Sequence, residues 1–357
     1  MTADQNSPPE ILLISLVHSK PEEVLHALST VGFIHHDLEG TDITQADVDR
    51  AFELSALLHN VPQAERLASL KDERGNGYFG MKGSLDERAT GTDLKESFVW
   101  GRYMSSAGEK ATTQSLPKAV KEYQDEITGF DQKCYEASLR VLDILSRAFD
   151  LPENFFRSTH KDDGSNGMAF MNYPALEKPP VGDDIRAGSH KGMYDWDAWQ
   201  LSAPLMPGLD WGDVTLLFQE KKGQPGLQVY LPTESAKSQT GIQLIQGDVD
   251  LESGTWISAP IIPQTVLVNV GLTLEGMTDG LCKANVHRVI FPKSSSTKLP
   301  KGRKTIAYFN ELGEPGSTNL AHQLMNPVKP GGIIVEKAGA STVGDFFQER
   351  VRLAGIA

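Results

Sequence analysis

Two histidines, His190 and His287, a carboxylate, Asp210, and an arginine, Arg303, are the side chains of this 357-residue sequence whose order and surroundings could do chemistry. A histidine in a strand is more often packed or solvated than a ligand, so none of the nine is singled out by type alone. Context selects two. His190 stands in "AGSHK", twenty residues before Asp210 of "DWGDVTLLFQ". His287 stands in "KANVHRVIF", sixteen residues before Arg303 of "GRKTIAYF". Two histidines and a carboxylate on one face of a metal leave positions open for substrate and dioxygen, as expected for non-haem Fe(II). An arginine with a hydroxyl two residues on, here Thr305, has the donors to hold a carboxylate.

These residues need a frame. "ILLISL" reads as a short buried strand and "KPEEVLHALSTVGFIHHDL" as an amphipathic helix running into a second strand. "TQADVDRAFELSALLHNVPQAERLASL" repeats apolar residues at helical steps, with Pro62 dividing it, and Gly75, Gly77, Gly80 and Gly83 mark a loop after it. "SLPKAVKEYQDEITGFDQKCYEASLRVLDILSRAFDL" is a further long helical region. From Gly167 the pattern turns to short strands, "MAFMNYP", "DVTLLFQ", "GLQVYL", "TWISAP", "TVLVNVG", "NVHRVIF" and "KTIAYF", a succession that predicts a sandwich or barrel. A last helix is expected at "TVGDFFQERVRLAGI", and "PTESAKSQTGIQLIQGDVDLESG" is an unusually long strand connection.

Composition narrows the function classes. A net charge of −13 argues against a general affinity for nucleic acid or anionic membrane, both of which need basic surface, and favours a small-molecule partner. Two cysteines are too few for a disulfide framework, the N-terminus lacks a basic and apolar leader, and no apolar run approaches the roughly 18 residues of a membrane helix. A cytoplasmic monomer is the expectation.

The ordered series "DWGDVTLLFQ", "GLQVY", "VNVGLTLEGMTDG", "VHRVI" and "RKTIAYF" resembles the iron(II) and 2-oxoglutarate-dependent dioxygenases of the isopenicillin N synthase-like group. Their pattern runs "HxDxGxxTLLFQ", "GLQV", "NxGxxLExxTNG", "HRV" and "RxS" before "xAYF". "LHALSTVGFIHH", "GNGYFG" and "DLKESFVWG" resemble that family's leading region, so the likeness covers most of the chain. It implies an α+β fold with a mainly β core: a double-stranded β-helix, or jelly roll, with a helix-rich N-terminal region and flanking helices. The implied organisation is a mixed α/β region over 1–110, helical support over 111–164, the jelly roll over 165–312 and a C-terminal tail and helix over 313–357. His190, Asp210 and His287 would be the iron ligands. Arg303 and Thr305 would anchor 2-oxoglutarate, with Thr305 standing where the family has serine. Tyr173 of "MNYP" matches a tyrosine that approaches the cosubstrate in relatives, its other reading being core packing. Thr273 stands where an aspartate is common.

One departure is large. The family's aspartate comes two residues after the first histidine, a position held here by Gly192, and the match resumes only at Asp210. Removing the eighteen residues 192–209 would restore "AGSHKDWGDVTLLFQ". Gly192-Met193-Tyr194 can be encoded with the splice-donor-like string GTATGT, and Leu209-Asp210 with the acceptor-like TAG, so an in-frame intron translated as protein is one reading. A genuine lid-like insertion is the other, with Asp210 still reaching the metal or Asp195 or Asp197 replacing it.

The resemblance implies an Fe(II)- and 2-oxoglutarate-dependent oxygenase that uses dioxygen to hydroxylate, desaturate or cyclise a small molecule in specialised metabolism. The alternatives are a 2-oxoglutarate-independent oxidase of the same group, and a catalytically inactive jelly-roll binding protein, which the interrupted motif favours.

Overall fold

The computed structural model describes residues 10–70, 76–79, 95–101, 114–160, 166–175, 185–187, 210, 212–233, 253–290, 301–310 and 328–334. Within them, eight strands form one sheet, in the spatial order β1 (Leu12–Ile14), β2 (Phe33–Asp37), β10 (Thr265–Val270), β7 (Val214–Gln219), β12 (Arg303–Asn310), β5 (Gly167–Tyr173), β4 (Glu96–Gly101) and β3 (Gly77–Phe79). All neighbours are antiparallel except β1 and β2. A second sheet takes the order β6 (Ile185–Ala187), β11 (His287–Ile290), β8 (Leu227–Leu231) and β9 (Thr255–Ser258), and β13 (Val328–Lys329) pairs with β14 (Ile333–Ile334). The strands expected from Gly167 onward are all present.

Alternation of side chains along each strand gives the large sheet two apolar faces. One face carries Phe33, Met171, Leu267 and Ala307 and packs against Leu227, Val229 and Val289 of the second sheet, so one core lies between the two sheets. The other face carries Ile34, Phe170, Leu216, Val268, Ile306 and Tyr308 and packs under helices.

The helices are α1 (Pro21–Thr30), α2 (Gln45–His59), α4 (Lys118–Lys121) and α5 (Gln124–Ala148), with α3 (Gln63–Ala68), which buries no side chain, between α2 and α4 in sequence and a short α6 (Leu272–Met277) following β10. Pro21 sits in the first turn of α1, where its missing N–H costs nothing. Thr44 and Asp47 close a reciprocal capping box on α2, with Thr44 N donating to Asp47 Oδ2 at 2.7 Å and Asp47 N to Thr44 Oγ1 at 3.2 Å. Such a cap contributes about 1 kcal/mol. In α5, buried Ile127, Phe130, Cys134, Val141 and Leu145 recur at three- and four-residue steps or their multiples and face the sheet.

The structure differs from the sequence reading in two places. Pro117 precedes the first turn of α4, and Glu122 and Tyr123 separate α4 from α5, where one helical region was expected. The glycine-marked stretch after α3 holds β3 rather than loop throughout, because "ESFVWG" forms β4 and offers it a partner. Gly77 makes the entry to β3 feasible: its φ is +124°, and a Cβ there would stand 2.7 Å from the Ser69 carbonyl oxygen. The expected C-terminal helix, and residues 234–252 of the long connection, lie outside the described residues.

Candidate active site

Strand β12 presents Arg303, Thr305, Ala307 and Phe309 on one face, and cross-strand register extends that face sideways. Phe309 is opposite Thr215, Thr215 opposite Asn269 and Asn269 opposite Phe33, while Arg303 is opposite Tyr173. These residues, with Asp210 and with Leu227, His287 and Val289 from the second sheet's side, line a cleft of about 570 Å³, its open mouth included.

His287 begins β11. Its Nδ1 lies 3.2 Å from the Asn285 carbonyl oxygen, which only accepts, so Nδ1 carries the proton and Nε2 is the nitrogen with the lone pair. Phe33 meets the ring edge-on, with centroids 5.6 Å apart and planes at 73°.

Asp210 is held from several sides. Asn269 Nδ2 donates to its Oδ2 at 2.6 Å, and the backbone N–H of Leu272 donates to its carbonyl at 2.8 Å. The turn into α6 makes two further bonds to the same loop, Gly271 N to Asp213 O at 2.9 Å and Thr273 N to Gly212 O at 3.1 Å. This close approach requires glycine at 271, since a Cβ there would stand 2.1 Å from the Gly212 carbonyl oxygen. Below the loop, His160 Nε2 lies 3.0 Å from Asp213 Oδ2, and its Nδ1 lies 2.8 Å from the Phe156 carbonyl, with both side chains 1% exposed.

At the Arg303 end, the guanidinium is buried. Its Nη2 donates to Gln219 Oε1 at 3.1 Å and its carbon lies 5.5 Å from the centre of the Tyr173 ring. Nε and Nη1 have no partner among the described residues, nor has Thr305 Oγ1. Burial lowers the Arg303 pKa, the expected response of a cation removed from water without an anion. An unpaired buried charge costs several kcal/mol, so a carboxylate is the ligand this end of the cleft fits. The Tyr173 hydroxyl faces Met171 Sδ at 4.0 Å.

The structure thus brings together Asp210, His287, Arg303, Thr305 and Tyr173 of the six residues singled out in the sequence. His190 and residues 192–209, with Asp195 and Asp197, lie outside the described residues. Among the described residues no three His, Cys, Asp or Glu side chains gather as a metal site, which leaves the Asp210 and His287 pair short of a third donor. The chemistry of the two, a carboxylate oxygen and an imidazole nitrogen, suits Fe(II). Sequence reasoning missed Asn269, Gln219 and Phe33. For Asn269 a signal existed: it is an amide in the otherwise apolar run "VLVNV".

Residues 205–311 match the 2OG-Fe(II) oxygenase superfamily. A Schizosaccharomyces pombe protein named only as a UPF0676 protein is 28% identical over 294 residues, 81% of this chain and 76% of its own length. The 2-oxoglutarate-dependent dioxygenase ucsF of Acremonium sp is 23% identical over 313 residues, covering 80% of this chain and 81% of that protein. The crystal structure of a full-length Neurospora crassa protein in complex with alpha-KG and thymine superposes with a TM-score of 0.69 at 22% identity, covering 97% of each chain. That likeness gives the expected jelly roll. The matched segment spans Asp210 and the strands that carry His287, Arg303 and Thr305, so the chain carries a 2OG-Fe(II) oxygenase domain, the domain of dioxygenases that use Fe(II), 2-oxoglutarate and O2.

Proposed function

We propose that His190, Asp210 and His287 hold Fe(II), that Arg303 and Thr305 bind the distal carboxylate of 2-oxoglutarate, and that the enzyme oxidises a small organic molecule. The single observation that carries this reading is the buried Arg303 guanidinium with two N–H-bearing nitrogens unpartnered beside an unpartnered Thr305 hydroxyl. Gln219 fixes one end of the guanidinium, leaving Nε and Nη1 to donate to a carboxylate. Tyr173 supports it from below through its ring face. Leu217, Leu227, Val289 and Phe309 keep the cleft wall apolar, so a carboxylate bound there meets little competition from water. Asn285 sets the His287 ring to present Nε2. When bound, the metal and cosubstrate supply the oxidising chemistry, in which 2-oxoglutarate and O2 become succinate and CO2 as the substrate is oxidised.

The placement of His190 draws on sequence and on its neighbours. Ala187, three residues earlier, pairs with Val289, two residues after His287. We take residues 192–209 to be absent from the active enzyme, which would set Asp210 two residues after His190. A role in specialised metabolism draws on relatives named as the fungal dioxygenases ucsF and gloF, and a small-molecule substrate on the Neurospora crassa protein, whose crystals hold thymine. The acidic balance supports a protein without affinity for nucleic acid, and a cytoplasmic monomer stays the expectation drawn from the sequence. Among the described residues no helix is long and apolar enough to cross a membrane.

The test is stoichiometric. With substrate candidates, O2 and Fe(II), succinate should form in step with 2-oxoglutarate loss. Substrate oxidation without succinate would assign the chain to the oxidases that use no 2-oxoglutarate. A protein that binds neither metal nor cosubstrate would be the inactive binding module that Gly192 at the family's aspartate position favours.

A further inference from the structure

We propose that Asn269 is a positioning residue for Asp210: by engaging Oδ2 it leaves Oδ1 as the one carboxylate oxygen offered to the metal. The inference rests on the metal-centre reading above. Its basis is the geometry around a single hydrogen bond. Asn269 Nδ2 donates to Asp210 Oδ2 at 2.6 Å, while Oδ1 makes no hydrogen bond among the described residues. Asn269 is 3% exposed, and its backbone is held on both sides, paired with Phe33 of β2 and Thr215 of β7. The donor is therefore a fixed point of the sheet rather than a mobile side chain.

The same strand also locates the Asp210 backbone, because the turn that follows β10 supplies Leu272 N to the Asp210 carbonyl. Side chain and main chain of Asp210 are both referred to β10, fifty-nine residues further along the chain at Asn269. The carboxylate is thereby oriented by the barrel. That matters here, since the sequence before Asp210 is the part that departs most from the family pattern.

A carboxylate with both oxygens unengaged can close on a metal through two of them, using a position that a cosubstrate or O2 would otherwise take. An N–H held on Oδ2 opposes this. Removing such an outer hydrogen bond typically costs about 10–100-fold in metal affinity.

The test uses Co(II) as the probe, bound anaerobically to the wild type, Asn269→Ala and Asn269→Asp. Asn269→Ala removes the donor. Asn269→Asp keeps the shape but turns an oxygen toward Oδ2, and it decides the matter should the alanine variant not fold. Affinity, the visible Co(II) bands and the melting temperature of the metal-free protein are measured together. The expected result is about 10–100-fold weaker binding in both variants, with shifted bands in whatever complex forms. Variants that bind Co(II) with wild-type affinity and wild-type bands overturn the proposal, whatever their melting temperatures, because Asn269 is then a core hydrogen bond and nothing more. Failure of the wild type to bind Co(II), with and without residues 192–209, overturns the metal-centre reading and this inference with it.

Discussion

The guanidinium of Arg303 stands 5.5 Å from the centre of the Tyr173 ring, and the two residues are direct cross-strand partners on β12 and β5. The sheet thus builds its cation support and its cation from the same register. Arg303→Met should leave the melting temperature of the metal-free protein unchanged or higher, because it removes a buried charge whose hydrogen-bond partner is one amide. 2-Oxoglutarate should bind the variant about 100-fold more weakly, the loss expected for charge-assisted hydrogen bonds worth ~3 kcal/mol. Thermal shift with and without the cosubstrate reads both effects. A variant that 2-oxoglutarate still stabilises as it does the wild type would remove Arg303 from the site.

Gly271→Ala should destabilise by ~1–3 kcal/mol, since its Cβ would overlap the Gly212 carbonyl oxygen and push the Asp210 loop outward. Metal affinity should fall with it. Gly129→Ala is the control: it lies on the exposed side of α5 with nothing within 4 Å of the added carbon, and should gain ~0.5–1 kcal/mol. Equal melting temperatures for the two variants would contradict the packing described around Gly271.

Much of this site could be read from the sequence because strands betray themselves by local pattern. "TVLVNV", "VTLLFQ" and "RKTIAYF" alternate or run apolar, and the ordered motifs around His287 and Arg303 are local strings. The bond between Asn269 and Asp210 could not be read, because it depends on β10 lying beside β7, a pairing between distant segments. Gly271 stands in the matched motif, but the reason for it could not be read there: its φ is ordinary, and only the neighbouring loop explains the lost side chain. Short β3 escaped for another reason, since three residues carry no measurable period. Gln219 ends a strand already recognised, but its role depends on Arg303, distant in sequence and adjacent in space.

Acid should loosen the fold through β2. Burial holds His35 and His36 down to a pKa of about 4, from an ordinary value of 6.5; the proximity of His36 adds to the effect on His35, while Asp37 opposes it on His36. The unfolded chain therefore binds more protons than the folded one between pH 6.5 and 4, and stability falls as pH drops through that window. The slope is at most about 1.4 kcal/mol per pH unit for each histidine. His36→Leu should flatten the pH dependence of chemical denaturation in that window by one such contribution. An unaltered slope would show that His36 is protonated in the folded protein.

A histidine and an aspartate carry the loop from beneath. His160→Ala leaves the Asp213 carboxylate, 1% exposed, without the ring that faces it, and should cost ~1–3 kcal/mol of stability, the loss expected when a buried acceptor is left without its partner. Urea denaturation of the metal-free protein measures this directly, and a loss below about 1 kcal/mol, the size of an exposed pair, would contradict the pairing.

One cleft is proposed to hold Fe(II) through Asp210 and His287, completed by His190, and 2-oxoglutarate through Arg303. Anaerobic titration with Fe(II) and 2-oxoglutarate tests it, read by the weak visible charge-transfer band of the ternary complex, on the full chain and on the protein lacking residues 192–209. The band should appear in the shortened protein, where Asp210 follows His190 by two residues; its appearance in the full chain as well would make 192–209 a tolerated loop. Absence of the band from both proteins would contradict the account.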